Sequence, residues 1–375
     1  MPGLRARGFL RFWPHALVLA LAAIVVLAGL YRAQPDRPSV DSPHPSPPPA
    51  AAVAAAPVAP PLAAAATASS PATTRAPSIA PATVATSTTP DTVVTPPAAA
   101  SGKAPIAALP EILASDAREL RIFRPAGNEN ILVFKFATLG DQARALNRVA
   151  TFIEEKGAPK QRILSEPELA DYVKAHGATP ESFYMGHDYS AAELVRFFAS
   201  AARDSLALNA DEEAVRRILI EEGAIRLSNL GYEVVAPAKA LISFAQRQRP
   251  DATDASDPDY ASLRYTIIQH ELSHGIYFTN SIYSSYCIEF WHHGLTEAER
   301  ASFRAFLGGL GYDTDNEEID MNEMQAFLMH TPDPRAFSAT LLRVSDAELR
   351  SLRERFAHGA PTIPLLLEIA GLTPH

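Results

Sequence analysis

Hydrophobic and polar positions follow three different patterns along the chain. Ala16–Tyr31 is an unbroken apolar run. Carried back to Phe12 it spans about 20 residues, or about 30 Å of helix, which matches the hydrocarbon core of a bilayer. Gln34–Ala107 has no period at all: Ala, Pro, Thr, Ser and Val follow one another, as in Pro47-Pro48-Pro49, Ala63–Ala66 and Thr86–Pro90. Such a stretch cannot bury a core and predicts a disordered linker.

Beyond Ala107 the periods of regular structure begin. Leu120–Phe123 and Ile131–Phe136 read as two strands joined by the turn-rich Pro125-Ala126-Gly127-Asn128, with Phe134 and Phe136 alternating against Lys135. Helical periods follow over Asp141–Lys156, Glu166–His176, Ala191–Arg203 and Ala210–Glu222. The last of these carries Asp211-Glu212-Glu213 in its first turn, where the helix dipole favours acids. A further extended pair is expected at Tyr232–Ala236 and Ala240–Phe244, around Pro237, and after Pro258 the pattern is helical to the end. Few strands, many helices and no βα alternation predict an α+β domain, mostly helical with a small sheet, and not a doubly wound one.

Composition sharpens these boundaries. The chain has 375 residues and 32 prolines. Seventeen of the prolines fall in 34–107, which leaves an ordinary share for the single domain expected over 108–375. Residues 1–33 hold four arginines and no acid, and 34–107 cancel, so the total charge of −9 leaves −13 on the domain. An acidic surface argues against nucleic acid and against anionic lipid as partners, because both need a basic footprint. Cys287 is the only cysteine, which excludes a disulfide scaffold.

Arg5, Arg7 and Arg11 precede the apolar run, and Trp13 and Tyr31 flank it. The positive-inside rule then predicts a single-pass anchor over about 12–31, with the N-terminus cytoplasmic and the rest exported to a periplasmic or other extracytoplasmic space. A cleaved signal peptide ending near Val26-Leu27-Ala28 is the alternative, and it exports the domain equally. The linker reaches on the order of 50 Å as a random coil and up to about 230 Å as polyproline II, so the domain can work well away from the membrane.

The chemistry is concentrated in His270-Glu271-Leu272-Ser273-His274, inside the helical period that follows Pro258. Two histidines about one turn apart leave the same face of a helix and can reach one metal ion. Glu271 lies about 100° round the helix, where its carboxylate can take a proton from a water on that ion. Ile268, Leu272 and Ile276 form the opposite stripe and are expected in the core. By chance the pattern arises about 0.02 times in a chain of this composition, so it is read as a site for zinc.

A catalytic zinc needs a third protein ligand. The metzincin form needs glycine at 277 and histidine at 280, where this chain has Tyr277 and Asn280. A ligand aspartate after a Gly-Thr stretch is only loosely suggested by Gly311-Tyr312-Asp313-Thr314-Asp315. Downstream, Asn322-Glu323-Met324-Gln325-Ala326 resembles the Asn-Glu-x-x-Ala context of the gluzincin metallopeptidases. With the His270–His274 motif it makes the chain similar to that family over Tyr265–Phe278 and Asp320–His330. The resemblance implies Glu323 as third ligand and Glu271 as catalytic base, with Glu317, Glu318, Asp320 and Glu289 as other acids for the third position. It also implies extra helical material between the ligand helices, over Ser281–Leu310.

Such enzymes use a His or Tyr donor for the oxyanion. Tyr277 and His330 are candidates here, and Tyr283, Tyr286 and Tyr312 are not distinguished from them; Asn322 and Gln325 are candidates for orienting the ligands. Asp251, Asp254, Asp257 and Asp259 lack the spacing of a calcium loop and read as a solvated loop. Cys287 reads as a small buried residue, and His292-His293 as a helix end. Together these features predict a membrane-anchored, exported zinc hydrolase acting on peptides or proteins of the cell envelope. The alternative is a noncatalytic envelope protein whose zinc site is structural or vestigial.

Overall fold

The structure is a computed structural model that describes residues 103–372. The expected anchor and nearly all of the linker lie outside the described residues. Among those described, no helix is long and apolar enough to cross a membrane.

Among the described residues there are seven strands: β1 (Ile106–Ala107), β2 (Arg121–Pro125), β3 (Ile131–Thr138), β4 (Gly186–Ser190), β5 (Ile225–Ser228), β6 (Gly231–Val234) and β7 (Ala240–Arg247). The first six helices are α1 (Leu109–Ala114), α2 (Leu139–Ile153), α3 (Glu166–Ala175), α4 (Pro180–Phe183), α5 (Ala191–Arg203) and α6 (Ala210–Glu221). After β7 come α7 (Pro258–Thr279), α8 (Ser281–Glu289), a π-helical turn (Phe290–Gly294), α9 (Glu297–Leu310), α10 (Glu317–His330), α11 (Ala339–Leu342), α12 (Asp346–Gly359) and α13 (Pro364–Ala370). The fold is α+β, as the pattern predicts. It begins earlier than residue 108, because β1 pairs in parallel with β2.

The main sheet is mixed, in the order β1-β2-β3-β7-β4. β3 is buried along its whole length and β7 along all but its last residue, so both take the centre, in parallel, with Val133 opposite Ile242. The β2–β3 hairpin forms as expected. The expected pairing of Tyr232–Ala236 with Ala240–Phe244 does not form. β7 is buried on both faces and belongs inside the sheet, whereas the half-exposed β6 turns back on β5 in a separate hairpin. β4, which no hydrophobic run announces, closes the sheet as an antiparallel edge strand beside β7.

Three buried polar contacts tie these layers together. Lys135, fully buried on β3, donates to the carbonyls of Ile112 at 2.8 Å and Leu113 at 2.9 Å, capping the C-terminal end of α1. Burial holds its ammonium down to about 7. Arg148 on α2 pairs with Glu212 on α6, with side chains 3% and 1% exposed. The opposite stripe of α7 is as expected, with Ile268, Leu272 and Ile276 each at 0% exposure. The segment between α7 and α10 is helical, as the resemblance implies, and α10 returns to pack on α7.

Candidate metal centre

Helix α7 starts where Asp257 accepts a hydrogen bond from the Tyr260 amide at 3.3 Å and Pro258 occupies the first turn. It then runs against β7 and the edge strand β4. His270 and His274 leave its one face a turn apart, and Glu323 reaches them from α10. His270 Nε2 lies 3.0 Å from His274 Nε2, and Glu323 Oε2 lies 3.5 Å from the first and 3.7 Å from the second. These three side chains are buried, and their ligand atoms all lie within 4.8 Å of one another, close enough to hold a metal ion.

The outer nitrogens of both rings explain why Nε2 is the ligand atom in each. Thr331 Oγ1 donates its proton to the Ala326 carbonyl at 3.0 Å, so it can only accept from His270 Nδ1, 2.8 Å away. His270 Nε2 therefore carries no proton and presents a lone pair. Across the cluster, His274 Nδ1 faces Asp188 Oδ2 at 3.6 Å, and Asp188 accepts from Asn322 Nδ2 at 3.3 Å. A carboxylate at that edge favours the proton on Nδ1 and turns the second lone pair inward. The two Nε2 atoms are 3.0 Å apart, and lone pairs turned toward each other at that distance would be relieved by a cation between them. Glu323 Oε2 completes the picture as a buried oxygen with no hydrogen-bond partner.

Electrostatics point the same way. Burial pushes the His270 imidazole down to about 4, only partly opposed by Asp188, so the ring is neutral as a ligand must be. Burial pushes the Glu323 carboxyl up to about 8, with His274 and the Tyr312 hydroxyl pulling against it and Asp188 adding to it. Glu271 is raised well above the usual carboxylate range by burial, then by Asp188 and Glu323. A cation would reverse the logic for both carboxyls, because it stabilises their charged forms directly.

Glu271 does not join the ligand cluster. It packs on the edge strand at Gly186, where even a methyl carbon would lie 2.2 Å from its Oε1. From there it faces, with His270, a cavity of about 420 Å³ whose walls include Tyr184, Gly186 and Tyr312. Of the five donor candidates only Tyr312 lines this cavity. Tyr277 is buried in the core, Tyr286 donates to the Phe356 carbonyl, and Tyr283 lies 3.3 Å from His330 Nε2. Burial, then His270 and His274, push the His330 ring down to about 3.

The other acids are occupied elsewhere. Glu317 accepts from Trp291 Nε1 at 2.9 Å and Arg304 at 2.8 Å, Asp320 also meets Arg304, Glu289 pairs with His293, and Glu318 is exposed. Asn322 and Gln325, the candidates for orienting the ligands, each approach them through an intermediate. Asn322 acts through Asp188, while Gln325 donates to Ser273 Oγ at 3.3 Å, which donates to the His270 carbonyl at 2.7 Å. Asp254 and Asp257 serve Arg264 and the α7 cap, and Cys287 is fully buried.

Sequence reasoning missed Asp188, Thr331, Gly186 and Glu155, of which the last three line the cavity. Thr331 directly follows the recognised α10 segment, and its hydroxyl was the one available clue. No family model matches the chain, and neither a curated protein nor a solved structure is significantly similar to it.

Proposed function

We propose that the chain is a zinc-dependent hydrolase that cleaves peptide bonds, of the gluzincin type its two motifs resemble. The observation that carries the reading is that the His270–His274–Glu323 cluster reaches, through His270, an open cavity that is also lined by Glu271, whose Oε2 has no hydrogen-bond partner. The donor set fits zinc: a tetrahedral ion with bonds of about 2.0–2.1 Å has donor edges of about 3.4 Å. The edges here are 3.0, 3.5 and 3.7 Å. A structural zinc would close its coordination with a fourth side chain, whereas among the described residues the cluster has three.

Zinc at these residues supplies a Lewis acid that polarises a carbonyl and makes water acidic. Glu271 accepts the proton that water loses as it attacks the carbonyl, and then delivers it to the leaving nitrogen. Tyr312, which lines the same cavity, donates a hydrogen bond to the oxyanion. β4 has a sheet partner on one side only and runs into the cavity wall at Gly186, so an extended peptide can add along its free edge. The apolar run and Pro/Ala-rich stretch support an exported, tethered enzyme whose substrates are peptides or proteins of the cell envelope.

Replacing Glu271 with Gln tests the mechanism. Zinc content measured on the purified chain should stay near that of the parent, while cleavage of a peptide library followed by mass spectrometry should stop. Retained cleavage in Glu271→Gln would remove Glu271 as the base.

A further inference from the structure

The cavity has a second acidic group, away from the ligand cluster. Glu155 lines it, 8% exposed, at the point where the end of α2 bridges to Tyr312. Its Oε1 accepts from the Tyr184 hydroxyl at 2.8 Å and its Oε2 from the Tyr172 hydroxyl at 3.1 Å. A carboxylate oxygen has about two acceptor sites, so each keeps one open. Among the described residues no cation forms an ion pair with it. Lys160 is held instead by Asp313 at 3.6 Å and the Ile153 carbonyl at 3.1 Å, and His176 directs Nδ1 to the Tyr172 carbonyl at 2.8 Å.

Two neutral phenols do not offset a buried negative charge. Burial raises the Glu155 carboxyl above its usual value, against the pull of Tyr184 and Tyr172 and the lesser pull of His176 and Lys160 without direct contact, and a cation arriving in contact would relieve that cost. The backbone keeps an approach open. Gly311, at φ 104°, faces Glu155 Oε2, where any side chain would place its Cβ 3.2 Å away. Phe183, Tyr184 and Tyr312 line the same cavity and offer ring faces to the stem or head of a long cationic side chain.

We propose that Glu155 marks a subsite for a cationic side chain, an arginine or lysine of the peptide substrate. The identity of the occupant rests on the peptidase reading above; the preference for a cation over a neutral isostere does not.

Binding separates the two. The zinc-loaded full-length chain in detergent is titrated with N-acetylarginine amide and with N-acetylcitrulline amide, which has the same shape without the charge. The arginine compound should bind about tenfold more tightly, as expected of a charge-assisted contact at a partly dry site. In Glu155→Gln that preference should vanish while citrulline binding stays as in the parent, which also reports that the cavity is intact. Equal binding of the two probes to the parent, or a preference that survives in Glu155→Gln, overturns the subsite. Alaninamide serves as a control for a free N-terminal amine. If it alone responds to Glu155→Gln, the assignment to a side chain is overturned. Should the cation preference appear on a chain that cleaves no peptide, the subsite stands and the peptidase reading fails.

Discussion

Gly186→Ala isolates the placement of Glu271 from the binding of metal. A methyl carbon at 186 would lie 2.2 Å from Glu271 Oε1, 2.5 Å from Cδ and 2.8 Å from Cγ, where ordinary contact begins at 3.4 Å. The carboxyl must therefore retreat by about 1 Å, or the edge strand must move outward by as much, and β4 is held to β7 along five register pairs from Gly186 to Ser190. The side chain is the softer of the two. A general base displaced by about 1 Å costs about 100-fold in rate. The three atoms nearest the new methyl all belong to Glu271 and none to His270, His274 or Glu323, so zinc affinity should remain within about twofold of the parent's. The assay is kcat/KM on a cleaved library peptide beside zinc titration and circular dichroism of the same preparation. A Gly186→Ala protein that folds, holds zinc and cleaves at the parental rate would refute the role given to Glu271 or its packing on β4.

Four further outcomes follow from the structure. Asp188→Asn, which weakens the hold on His274 Nδ1, should loosen zinc by about 10- to 100-fold in competition with a chelator, whereas an unchanged affinity would detach Asp188 from the centre. The Glu323 carboxyl is held up to about 8 in the ion-free protein, so zinc must displace its proton below that value. Zinc affinity should rise about tenfold per pH unit up to about 8 and then flatten, and calorimetry in buffers of different ionisation enthalpy should detect the released proton. The same shift has a sign for stability: the folded carboxyl keeps its proton from 4.5 to about 8 while the unfolded one loses it, so the ion-free fold weakens as pH rises through that window. Finally, Arg148→Met strands Glu212 at 1% exposure and should cost about 3–5 kcal/mol in urea unfolding; a loss below about 1 kcal/mol would show the pair to be dispensable.

The fold was legible wherever one face of an element is buried and the other is not. α5 and α6 carry that contrast, and their expected spans agree with the observed ones to within a residue. β7 was seen as a strand but given the wrong neighbour, because Ala240–Gln246 is buried on both faces and nothing local says which strand lies beside it. β4 was missed for the opposite reason. Gly186-His187-Asp188-Tyr189-Ser190 alternates as a strand should, with His187 and Tyr189 buried, but its inward residues are polar or aromatic and do not form a hydrophobic run.

That omission decided how much of the centre could be read. His270, Glu271 and His274 share one turn of one helix, so helical geometry alone relates them, and the Glu323 context places the third ligand on another helix. Asp188 and Gly186 are joined to them only by the pairing of β4 with β7 and the packing of β4 on α7, contacts between segments about 50 to 90 residues apart in the chain. Glu155 is more remote still, since its meaning depends on Tyr172, Tyr184 and Gly311 meeting around it. Groups that bind an ion directly must obey its fixed bond lengths and so tend to leave a spacing in the sequence. Those that orient the ligands, limit the base or select a substrate answer only to three-dimensional proximity, which any sheet edge or loop can supply. The edge strand is therefore where variation should alter specificity without touching the metal, with two exceptions: Gly186, because Glu271 occupies the space a side chain would need, and Asp188, because it faces His274.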